Sequence, residues 1–73
     1  MKTTKNYIIT VDETYIGDLY EIVDLLINNG VNITKIYEFG VIIGDAAAED
    51  IEYIRAHHEK ILSIEEEKIA SIL

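Results

Sequence analysis

The chain contains no cysteine and no proline, and only four glycines and one phenylalanine among 73 residues. Without cysteine there is no disulfide staple and no thiolate cage for a metal, so a small core must hold the fold by itself. Cations are also scarce: six Lys+Arg stand against fourteen Asp+Glu, a formal charge of −8. A phosphate-binding surface needs clustered cations, so a nucleic-acid partner is excluded and a positive or dipolar partner surface is favoured. Met1 to Lys5 lead into a strand without a long apolar run, so nothing reads as a signal peptide or a membrane span. No glycine-rich phosphate loop occurs either. What remains is 49% apolar residues in a chain of single-domain size, 1–73.

Those residues are patterned. Lys5 to Asp12 alternates as a strand, with Tyr7, Ile9 and Val11 on one face and Ile8 and Thr10 on the other. Asp12 or Thr14 can cap a helix whose apolar positions are Tyr15, Leu19, Ile22, Val23, Leu26 and Ile27. Asn28-Asn29-Gly30 ends it, with Gly30 in the left-handed capping position. A second strand is expected over Val31–Phe39, a turn at Gly40, and a return strand over Val41–Ile43 that stops at Gly44 and Asp45. A shorter helix over Ala46–Ala56 and a last strand over Lys60–Glu65 complete the order β-α-β-β-α-β. This is the ferredoxin-like α+β pattern: a four-stranded antiparallel sheet with both helices on one face.

Two helices cover one side of such a sheet. The other side is expected to carry Ile8, Thr10, Thr34, Ile36, Ile42, Ile61 and Ser63, an apolar face suited to docking. The five tyrosines are expected at core edges. His57-His58 with Glu52 and Glu59 could suggest a metal site. Adjacent histidines at a helix end diverge, however, and no third ligand completes a tetrahedron. Ser63 and Ser71, the only serines, lack a base–orienter pair. The chain reads as a binding protein, not an enzyme, and needs no cofactor.

The end of the chain carries the most specific signal. Ile61-Leu62-Ser63-Ile64 is followed by Glu65-Glu66-Glu67-Lys68 and then by Ile69-Ala70-Ser71-Ile72-Leu73. An apolar strand, an acidic run, a basic residue and five further residues resemble the C-terminal end of subtilisin propeptides and of stand-alone inhibitors built on the same fold. Asn6-Tyr7-Ile8-Ile9-Thr10-Val11 resembles that family's opening strand, and the Asn-Gly helix end and glycine-containing hairpin also agree. The resemblance covers Tyr7 to Leu73.

The resemblance implies a partner, a subtilisin-like serine protease, and a role for each end residue. The tail, 68–73, would lie in the substrate cleft as an added strand. Leu73 would fill the primary specificity pocket as a cleaved product does. Ala70 would occupy the other discriminating pocket, with Ile69, Ser71 and Ile72 bridging. Glu65 and Glu67 would cap the N-termini of two protease helices, whose unpaired N–H groups favour carboxylates. Alternation points both to one side and Glu66 to the other. The free protein is expected to be a monomer that inhibits the protease and also templates its folding. Its expected location is cytoplasmic if the sequence is natural and complete, and extracellular if it is an excised prodomain. A rival resemblance is to the ACT domains, small-molecule-binding regulatory modules of the same element order, through Gly30-Val31-Asn32-Ile33 and Gly17.

Overall fold

A computed structural model of the protein describes residues 3–67. Its elements run β1 (Thr4–Val11), a 3-10 segment (Glu13–Asp18), α1 (Leu19–Asn28), β2 (Asn32–Tyr37), β3 (Val41–Ala47), α2 (Ala48–His57) and β4 (Ile61–Glu66). The strands form one antiparallel sheet in the order β2-β3-β1-β4. With Leu19, Ile22, Val23 and Leu26 of α1 and Ile51 and Ile54 of α2 buried against it, this is the ferredoxin-like α+β fold. Ile9, Leu26, Ile42, Ile51 and Ile54 are the largest fully buried side chains. Each contributes roughly 1.5–3 kcal/mol by leaving water.

The first helix is shorter than its periodicity predicts. Asp12 does act as a cap, its Oδ1 accepting from the Thr14 N–H at 3.0 Å. The turn it opens is 3-10, however, and Tyr15 leaves helical geometry at φ −111°, ψ 15°. β-Branched Thr14, aromatic Tyr15 and Gly17 are weak helix formers, so the α-helix starts only at Leu19. Lys60 secures this segment from the far side, 3.2 Å from Asp18 and over the Tyr15 ring. Asp12→Ala should cost about 1 kcal/mol. Urea denaturation checks this, and an unchanged midpoint would remove the cap from the account.

At its other end α1 closes as expected. The Val31 N–H donates to the Leu26 carbonyl at 3.0 Å and the Gly30 N–H to that of Ile27 at 3.1 Å. With Gly30 at φ +96° this is a Schellman cap, and Val31 folds back into the core.

The sheet departs from the sequence reading in four places. β3 runs on through Gly44 and Asp45 to Ala47, so α2 begins at Ala48. β2 spans Asn32–Tyr37, with Glu38-Phe39-Gly40 forming a three-residue hairpin loop that places Gly40 at φ +104°. A register shift between Ile33 and Lys35 leaves Thr34 unpaired and turns Ile36 to the helix side opposite Ile42. A separate shift between Thr10 and Val11 in the pairing with β4 sets Ile61 opposite buried Val11, so Ile36, Ile61 and fully buried Ile42 belong to the core layer, not to the open face. Of the tyrosines, Tyr7 is buried and Tyr15 packs on the core, whereas Tyr20 and Tyr53 are exposed.

Candidate docking surface

The face away from the helices is built from residues of one parity. Tyr7, Ile9 and Val11 of β1 are buried, so Asn6, Ile8 and Thr10 point the other way. Pairing extends each across the sheet. Thr10 stands opposite Val41 on one side and Ser63 on the other, and Val41 opposite Tyr37. Ile8 stands between Ile43 and Glu65, with Lys35 beyond Ile43. Asn6 faces Asp45, which faces Asn32. Two half-apolar rows, with Tyr37 and Val41 in one and Ile43 and Ile8 in the other, therefore give way to a polar row at the end of the sheet where β4 finishes.

Ile8, Thr10 and Ser63 occupy the open face as the sequence predicts. Val41, Ile43 and Tyr37 complete it in place of Ile36, Ile42 and Ile61. The missed signal was the loop: a three-residue turn ending in glycine fixes the parity of β3, and so that of Ile42 and Ile43.

Glu65 lies on this open face, exposed, opposite Ile8. The Glu67 N–H donates to the Asn6 carbonyl at 2.8 Å, continuing the edge of β4, and alternation puts its side chain on the side of Glu65. Glu66 points to the helix side, 3.6 Å from the Lys5 ammonium. Among the described residues neither Glu65 nor Glu67 has an ion-pair partner. The cleft-binding residues proposed from sequence, Ile69, Ala70, Ser71, Ile72 and Leu73, lie outside the described residues, as does the whole of 68–73.

The histidine pair divides. His57 Nδ1 donates to the Tyr53 carbonyl at 2.8 Å and its ring stacks on that tyrosine, whereas Nε2 of His58 is buried without a hydrogen-bond partner. A cleft of about 180 Å³ lies beside it, between α1 and residues 57–61. Among the described residues no group of three or more potential metal ligands comes together. The two glycines behind the rival reading differ in their surroundings. Gly30 caps α1, and a Cβ there would sit 2.7 Å from Asp50 Oδ2; Gly17 has open space around it.

No protein-family model, no curated protein and no solved structure matches the chain.

Proposed function

We propose that the protein binds and inhibits a subtilisin-type serine protease, its sheet lying on the enzyme's surface and its C-terminal residues entering the substrate cleft as a product would. The observation that carries this reading is the placement of Glu65 and Glu67. Both carboxylates fall on the side of the apolar open face, at the edge where β4 leads into 68–73. Two acids spaced by one residue can each meet an exposed helix N-terminus, while the apolar rows cover the helices behind. Residues Ile69 to Leu73 then follow as a strand added to the cleft, Leu73 at the primary pocket and Ala70 three positions before it. The same grip would hold two helices together while the protease folds.

Titrating a subtilisin with the intact chain and with a chain ending at Lys68 tests the reading. The intact chain is expected to inhibit competitively, and the shortened one at least tenfold more weakly. Equal and negligible inhibition by both ends the proposal. Stabilisation of the free chain by an amino acid, together with dimer formation, would favour the ACT-like regulatory reading instead.

A further inference from the structure

Phe39 is 71% exposed, the most exposed large apolar side chain among the described residues, and it is not loosely held. Its loop closes with the Gly40 N–H donating to the Tyr37 carbonyl at 2.9 Å. The Val11 N–H then donates to the Gly40 carbonyl at 2.8 Å, which pins the turn to the end of β1. The Phe39 ring stacks on that of Tyr37, centroids 5.4 Å apart and 29° between planes. Tyr37 is the outermost member of the first apolar row, opposite Val41. A rigid aromatic pair on a fixed turn loses little conformational entropy on binding, which is the character of interface residues that dominate affinity.

We infer that Tyr37 and Phe39 form a second anchor of the docking surface, seated in an apolar hollow of the same protease; this rests on the inhibitor reading above. The two anchors sit at opposite edges of the sheet, the acids on β4 and the aromatics at the tip of β2. Three inter-strand steps and one row separate Tyr37 from Glu65, and Glu67 lies one row further, a span of roughly 16–20 Å. The partner is therefore defined by two features at that spacing: dipolar or cationic donors for the carboxylates, and an apolar depression for the rings. A second copy of the chain is a poor occupant. The open face carries Asp45, Glu65 and Glu67 against Lys35 alone among its described residues, so two such faces repel.

The anchor predicts a division of kinetic labour. Phe39→Ala and Tyr37→Ala should weaken inhibition of a subtilisin roughly ten- to hundredfold, chiefly through faster dissociation. Glu65→Gln with Glu67→Gln should instead slow association, and more so at low salt. Tyr20→Ala, an exposed aromatic on the helix layer, should stay within about twofold. Circular dichroism melts of each variant separate misfolding from lost contact, and Phe39→Leu, which keeps apolar bulk, should recover part of the loss. Inhibition unchanged by Phe39→Ala and Tyr37→Ala, while the tail deletion or the glutamate changes abolish it, overturns the second anchor and leaves the inhibitor reading standing. An intact chain that never inhibits overturns both. A dimer of the free chain that Phe39→Ala dissolves would make this corner a self-contact and also overturn the anchor.

Discussion

Ile9→Ala should leave a large fraction of the protein unfolded at room temperature. Ile9 is fully buried in the middle of β1, paired with Ile42 on one side and Ile64 on the other, and all three belong to the core cluster. Deleting three buried carbons from such a position costs about 2–5 kcal/mol, part lost transfer energy and part the void left behind. A domain of this size has only about 3–5 kcal/mol from its core, and no disulfide adds to it. The single change therefore consumes most of the margin. Ile27→Ala makes the same kind of deletion on the outer face of α1, where the side chain is exposed, and should cost within about 0.5 kcal/mol. Urea titrations followed by far-UV circular dichroism compare the two. A loss under about 1 kcal/mol for Ile9→Ala would show that the core is not centred on this strand pairing.

Gly44→Ala should be the other severe change, by the opposite mechanism. A Cβ at Gly44 would stand 2.8 Å from the Asn32 carbonyl oxygen and 2.9 Å from Val31 Cγ1. The first obstacle is backbone and cannot swing aside, so β2 must shift relative to β3 along the very pairing that joins them. Overpacking of this kind costs about 1–3 kcal/mol, and the upper part of that range applies where a strand must move. Gly17→Ala provides the contrast. Nothing lies within 4 Å of the added carbon and the backbone is not in the left-handed region. Reduced freedom of the unfolded chain should then stabilise by about 0.4–1 kcal/mol. One chemical change with opposite signs at two glycines is the expected result. Destabilisation of similar size at both would mean that generic backbone propensity, not the contact with β2, sets the cost.

These two positions also mark where the sequence could and could not be read. Alternation in β1 and the 3-4 spacing of Leu19, Ile22, Val23 and Leu26 are local patterns, and they led to the right faces. Gly30 was recognisable because a helix end and a required left-handed residue coincide. Gly44 misled because a glycine followed by an aspartate reads as a turn. Here glycine serves instead to let two strands approach closely, a need imposed by residues twelve positions away. The bulge at Thr34 was equally invisible, since nothing local distinguishes an unpaired strand residue from a paired one. That single slip sent Ile36 to the wrong face. For the docking surface, the common side of Glu65 and Glu67 followed from strand parity alone, whereas the aromatic corner required the loop geometry around Gly40.

The pairing of β1 with β4 places the two ends of the folded unit beside one another. Tyr7 lies opposite Glu66, and Asn6 accepts from the amide of Glu67, so the polypeptide enters and leaves the sheet at the same corner, strands about 5 Å apart. Any purification handle or fused reporter ahead of Thr4 shares that corner with Glu67, where β4 hands over the chain. If the proposed inhibitor function holds, a bulky fusion there should obstruct the protease, while a small fluorophore would act as a proximity gauge for its arrival.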